Sequence, residues 1–106
     1  MASDNEHCGD RGRECTITVS NPVLHGMYPD PSWIWDTTRE EIVLVNSSFE
    51  LVPGLPIHTT RDLVTWTRTA NAVDEAMSHR LLIDGVEDSG GLYAPTIRRI
   101  GGRYVI

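Results

Sequence analysis

From Asn21 to Ile106 the chain is a succession of short β-like runs set between turn residues, and that rhythm limits what it can fold into. Ser32 to Asp36 is one run, closed by the polar turn Thr37-Thr38-Arg39-Glu40. Glu41 to Asn46 follows, with Ile42-Val43-Leu44-Val45 as a continuous aliphatic stretch, the pattern of a strand buried on both faces. Leu55 to Thr59 is a third run. Val64 to Thr69 is a fourth, in which Val64, Trp66 and Arg68 alternate with threonines, and Asp62-Leu63 lies in the turn before it. Asn71 to Ser89 reads as a polar loop with a short helical stretch around Asp74 to Arg80. Pro95 to Ile100 and Arg103 to Ile106 flank Gly101-Gly102, a strong hairpin signal. Short strands with turns every 8–12 residues or so imply an all-β sandwich or propeller.

Residues 1–20 differ: they are polar and rich in Asp, Glu, Arg and Gly, and read as a disordered leader. Cys8 and Cys15 both lie there. They could close a short disulfide loop or, with His7, touch a metal, but they match no standard zinc spacing and are expected to be incidental thiols. Met1 to Ser20 lacks the apolar core of a secretory signal, and no segment has the length to cross a bilayer, so the expected compartment is the cytoplasm. At the other end, Arg103-Tyr104-Val105-Ile106 is a strand signal with no turn or polar cap after it. An open apolar edge of that kind is one that complete folds avoid, and the sequence is expected to be a truncated piece of a larger domain.

The formal net charge is −6 and all 9 basic residues are arginine. An acidic chain without a basic patch argues against nucleic acid and anionic membranes as partners. It suits a neutral substrate such as a sugar.

One carboxylate stands out. In Tyr28-Pro29-Asp30-Pro31-Ser32, Asp30 is held from both sides by prolines, which fix their own φ and exclude the preceding residue from helix. Two readings fit: a proline turn that starts the Trp33-Ile34-Trp35 run, or a catalytic base mounted to hold a water in one geometry.

The surrounding motifs carry a family likeness. Asn21-Pro22-Val23-Leu24, Gly26 and Tyr28-Pro29-Asp30-Pro31-Ser32 resemble the opening of family-43 glycoside hydrolases. Val45-Asn46-Ser47-Ser48-Phe49-Glu50, Pro53-Gly54-Leu55-Pro56-Ile57 and Arg61-Asp62-Leu63-Val64-Thr65-Trp66 continue it. Asp88-Ser89-Gly90-Gly91-Leu92-Tyr93-Ala94-Pro95 and Gly102-Arg103-Tyr104 complete a collinear series over residues 21–106, nearest to the β-xylosidase and α-L-arabinofuranosidase branch.

The resemblance implies an all-β fold: a five-bladed β-propeller, of which this chain supplies about two blades, incomplete, as the N-terminal part of the propeller domain. It implies an inverting mechanism with Asp30 as general base, expected to be held by hydrogen bonds rather than sunk in a dry pocket. The general acid and a pKa-tuning aspartate would come from blades outside this sequence. It also places Phe49 and Tyr93 at the walls of the sugar pocket, where aromatic rings offer flat contact to C–H faces; the family more often has Trp at the second position. Core packing is the alternative for both rings. No cofactor and no metal ligand is expected.

Trp33, Trp35 and Trp66 are expected to be structural, with Trp33 and Trp35 packed between blades. Glu50, Asp74 and Asp88 read as solvated loop carboxylates, and His25 and His58 as surface or pocket-rim residues. Asn46-Ser47-Ser48 fits a glycosylation acceptor, but a glycan beside Phe49 would obstruct the pocket. Two functions remain in view. One is a glycosidase acting on xylan-derived oligosaccharides; the other is an inactive fragment, or a carbohydrate-binding or interaction remnant, lacking the acid.

Overall fold

The computed structural model describes residues 14–81, 83, 85–87 and 90–106. Of the expected leader, only 14–20 falls within these, and it carries neither helix nor strand. Cys15 is disulfide-bonded rather than a free thiol, which corrects the expectation; the other half of the bond lies outside the described residues.

Four strands form one antiparallel meander: β1 (Ser32–Asp36), β2 (Glu41–Val45), β3 (Gly54–Thr60) and β4 (Thr67–Val73), in the spatial order of the chain. A short helix, α1 (Glu75–Arg80), follows, and then the hairpin β5 (Arg98–Ile100) and β6 (Arg103–Val105). A four-stranded meander is the form of a propeller blade, and the hairpin begins a second sheet. The all-β, incomplete-propeller reading holds.

The register sorts the side chains. Ile34 of β1 lies opposite Val43, and Val45 lies opposite Ile57, so one face of the sheet gathers the aliphatic residues. Val43, Val45, Leu55, Val73 and Ile97 form the buried core, with Ile34, Ile57, Ala72 and Leu92 packed against it. Each such side chain contributes about 1.5–3 kcal/mol by leaving water. Ile97, fully buried, arrives from the segment before β5 and donates its backbone N–H to Ser32 Oγ at 3.1 Å. Trp33 and Trp35 face the other way and are 61% and 49% exposed. The expected packing between blades is therefore not made within the described residues.

The fourth strand begins three residues later than the threonine alternation implies. Asp62 Oδ1 accepts from the N–H groups of Val64 and Thr65 at 2.8 and 2.7 Å, and Trp66 Nε1 donates to Leu63 O at 3.2 Å. Those bonds commit 62–66 to a turn, since an aspartate that satisfies nearby backbone donors competes with the ladder. The same bonds hold the Asp62 carboxyl below its ordinary value, the Thr65 N–H contributing most, against the opposing effect of burial. Asp74 is the N-cap of α1, accepting from Met77 N at 2.7 Å.

The first sheet and the hairpin meet at Asp36, at the end of β1 and 2% exposed. Its Oδ1 accepts from the N–H groups of Thr38 and Arg39 at 2.9 and 3.1 Å, and Arg99 Nη1 lies 3.5 Å away. Oδ2 accepts from the hydroxyl of Tyr104 in β6. One carboxylate thereby joins its own turn to both strands of the hairpin.

Candidate functional site

Asp30 is exposed, and its backbone takes φ +52°, a left-handed conformation rather than the extended one usual before proline. Aspartate enters that region more readily than most residues, yet the conformation still costs about 1–2 kcal/mol and needs support. The support comes from the two residues that follow β2. Asn46 Nδ2 donates to the carbonyls of Tyr28 and Pro29 at 2.7 and 3.1 Å. Ser47 N donates to the same Pro29 carbonyl at 3.1 Å, and Ser47 Oγ donates to Asp30 Oδ2 at 2.7 Å. Oδ1 takes no hydrogen bond from the described residues. The carboxylate is thus fixed through one oxygen and open through the other.

Asn46, Ser47 and Ser48 are all buried, at 1%, 2% and 7% exposure. Three polar residues run straight on from the aliphatic core of β2 and turn their side chains to backbone: Ser48 Oγ accepts from Leu55 N at 2.8 Å. This also disposes of the glycosylation pattern, because the Asn46 amide is enclosed and already engaged. Sequence reasoning passed over Asn46 and Ser47 as ligands of the Asp30 loop. The available signal was a run of small polar residues where a strand leaves the core, since polar groups that stay buried there need partners.

Phe49 stands beside this run with φ +53° and pairs with Leu92 through a β-bridge, its N–H donating to Leu92 O at 2.7 Å and its carbonyl accepting from Leu92 N at 3.0 Å. That bridge carries Tyr93 alongside. The Phe49 and Tyr93 rings stack with centroids 6.2 Å apart and planes inclined by 19°. A ring inserted between them would need about 3.5–4.0 Å on each side, or roughly 7 Å in all. The pair therefore cannot clasp a sugar between its rings; it offers one continuous aromatic surface, with Tyr93 63% exposed.

His58 corrects its expectation. It lies in β3 at 4% exposure, edge-on to Tyr28 at 4.9 Å between ring centroids. Burial, and secondarily the positive charge of Arg68, pushes its pKa down, and the ring lies buried against Tyr28 rather than at a rim. His58 Nδ1 and Asn46 Oδ1 are buried without a hydrogen-bond partner among the described residues. His25 is exposed, Glu50 is half-buried, and Asp88 lies outside the described residues. Among the described residues no group of three or more His, Cys, Asp or Glu is placed to hold a metal. A cleft lined by Val52, Pro53, Asn71, Asp74 and Glu75 does not include Asp30; its carboxylates sit at the start of α1 and serve the helix.

The chain resembles known proteins along this same stretch. The profile of Glycosyl hydrolases family 43 matches residues 19–106. A non-reducing end alpha-L-arabinofuranosidase of Bacteroides ovatus is 38% identical over 90 residues, covering 84% of this chain and 16% of that protein. A xylan 1,3-beta-xylosidase of a Vibrio species is 32% identical over 89 residues, with the same two coverages of 84% and 16%. The crystal structure of a GH43 protein from Bacillus licheniformis superposes with a TM-score of 0.68 at 33% identity, over 81% of this chain and 16% of that one. The chain thus spans about a sixth of the length of these relatives. With the profile match running through the Asp30 loop, the Asn46-Ser47 clamp and the Phe49–Tyr93 surface, the chain belongs to glycosyl hydrolase family 43.

Proposed function

We infer that this chain supplies the general base and part of the sugar-contacting wall of an inverting glycosidase of the β-xylosidase or α-L-arabinofuranosidase kind. The single observation that carries the reading is the mounting of Asp30: an exposed carboxylate with one oxygen tied to Ser47 at 2.7 Å and the other open, beside the stacked Phe49 and Tyr93 rings. In inversion a base draws a proton from water as the water attacks the anomeric carbon. An acid roughly 6.5–9.5 Å from it protonates the leaving oxygen. Asp30 Oδ1 is the oxygen available to take the water's proton, while Ser47 holds the carboxylate in orientation. The aromatic surface supplies apolar contact to a sugar face.

The relatives named as a xylosidase and an arabinofuranosidase support xylan-derived oligosaccharides as the substrate class. Among the described residues, Asp36 and Asp62 are engaged in structural bonds and Asp74 caps α1, so none of these three is offered as the general acid. A second reading, a sugar-binding segment without its own catalysis, rests on the paired Phe49 and Tyr93 rings alone, which can contact a sugar face without any acid. Hydrolysis of an aryl β-xyloside and an aryl α-L-arabinofuranoside by the purified 106-residue chain separates the two. No turnover is expected from this chain alone, because loss of the acid costs about 10²–10⁴-fold. Turnover that vanishes in Asp30→Asn would instead establish a self-sufficient catalyst.

A further inference from the structure

We propose that Ser47 is a positioning residue that couples the Asp30 carboxylate to the aromatic wall through one hydroxyl. A hydroxyl has one proton to give and lone pairs to receive with. In Ser47 the proton goes to Asp30 Oδ2 at 2.7 Å, and the oxygen accepts the backbone N–H of Ala94, also at 2.7 Å. Asp30 precedes Ser47 by 17 residues and Ala94 follows it by 47. The contact therefore spans two segments that share no strand pairing with each other.

Both segments need holding. Asp30 and Ala94 are non-glycine residues at φ +52° and +49°, and Phe49, two residues after Ser47, is at +53°. Three left-handed residues around one serine, itself 2% exposed, make a cluster of the kind that persists only where the surroundings over-determine it. Ala94 directly follows Tyr93, whose ring stacks on Phe49.

The bonds also point one way. The Ala94 N–H donates to the Ser47 hydroxyl, which donates to a carboxylate, and each donor in such a chain is polarised by the next. A negative charge at the far end strengthens the bond nearest the wall, since bonds to ionised acceptors are the stronger ones. Charge on Asp30 thus tightens the loop that carries Tyr93. Conversely, displacement of that loop loosens the carboxylate. On the reading of Asp30 as the base, Ser47 is what keeps base and sugar-contacting surface in mutual register.

The test is made on the whole chain by NMR, with the Ala94 amide as reporter. Asp30→Asn removes the charge at an exposed position and keeps a residue that tolerates the left-handed conformation, so the fold is retained. The Ala94 amide proton is expected to move upfield and its exchange to quicken roughly two- to fivefold. Ser47→Ala should produce the larger change and Ser47→Thr, which keeps the hydroxyl, should restore the wild-type signal. An Ala94 amide indifferent to Asp30→Asn overturns the coupling, whatever Ser47→Ala does to stability. Where the protein turns over an aryl glycoside, Ser47→Ala should lower kcat about 10- to 100-fold, with Ser47→Thr recovering it. A responsive amide together with aryl-glycoside turnover that survives Asp30→Asn leaves the coupling standing and refutes the assignment of Asp30 as base.

Discussion

Tyr104 donates its phenolic proton to Asp36, so that a residue of the second sheet completes the coordination of a carboxylate buried at the end of the first. Arg99 adds a charge from the neighbouring strand at 3.5 Å and also donates Nη2 to Thr38 Oγ1 at 2.8 Å. Thr38 in turn gives its N–H to Asp36. The hairpin and the β1–β2 turn are thereby held by one polar knot, alongside the apolar contact through Ile97.

Tyr104→Phe tests this knot with the ring kept and the donor removed. The variant should unfold at lower urea, because a buried carboxylate loses a partner and cannot regain water. The loss should be local as well: amide exchange should quicken in β5 and β6 before it does in β2 and β3. Uniform acceleration across all strands would show that the hydroxyl does not hold the hairpin.

The pH dependence of stability should fall in two steps. Asp36 is held below its ordinary value near 3.8 by the Tyr104 hydrogen bond first, with Arg39, Thr38 and Arg99 adding to it and burial opposing. A depressed carboxyl pKa stabilises the fold above the unfolded value and ceases to do so as pH falls through the folded one. His58 is depressed by burial and by Arg68. Its unfolded form binds a proton near pH 6.5 and the folded ring does so less readily, so stability falls as pH drops below about 6.5. Urea midpoints measured from neutral pH downward should decline first there and again below the carboxylate value. His58→Gln should erase the first decline and leave the second; a first decline that survives the substitution assigns it to another group.

The strand plan is largely legible in the sequence because Ile42-Val43-Leu44-Val45 can only be a buried strand, and its neighbours share its period. The start of β4 is not legible, because the threonine alternation and the Asp62 turn compete for 64–66 and the two backbone bonds to Asp62 Oδ1 prevail. At the site, the two prolines announce a mounted Asp30. They cannot disclose that Asn46 and Ser47 are what hold it, since those contacts join segments 17 and 18 residues apart by side-chain direction alone. His58 misleads for a similar reason: a lone histidine reads as polar surface until Tyr28 is known to cover it.

Ile97 should be the most consequential core position outside the first sheet, since it is fully buried and brings the second sheet onto the first. Ile97→Ala should cost about 2–5 kcal/mol in urea unfolding. Trp33→Ala, on a side chain 61% exposed, should change stability by no more than about 0.5 kcal/mol. A larger cost at Trp33 than at Ile97 would place the core on the wrong face of the sheet.

Gly91 is required by space as well as by conformation. At φ +84° a Cβ there would lie 2.2 Å from the carbonyl oxygen of Phe49 and 2.6 Å from its carbon, within the bridge that carries the aromatic pair. Gly101, at φ +56° in the hairpin turn, has nothing within 4 Å of the same atom. Gly101→Ala should cost about 1–2 kcal/mol of backbone strain. Gly91→Ala should cost more than that and disorder the Leu92 and Tyr93 amides, as seen in their exchange rates. Equal costs at the two glycines would mean that the Phe49 bridge yields without penalty.

Phe49 and Tyr93 should behave as one surface. With centroids 6.2 Å apart and planes inclined by 19°, a double-mutant cycle of Phe49→Leu and Tyr93→Leu should give a coupling of about 0.5–1.5 kcal/mol in urea unfolding of the chain. Binding should follow the same logic. A sugar resting on the joint surface loses part of its contact when either ring is removed, so both single variants weaken binding and the double variant weakens it by less than their sum. In a protein that hydrolyses an aryl glycoside, Tyr93→Leu should raise KM with little change in kcat if, as proposed, Tyr93 contacts the sugar rather than the attacking water. Tyr93→Trp, which keeps a flat ring at the same place, should hold KM close to wild type. Strictly additive losses in both stability and binding would mean that the rings act separately, with the sugar meeting only one of them.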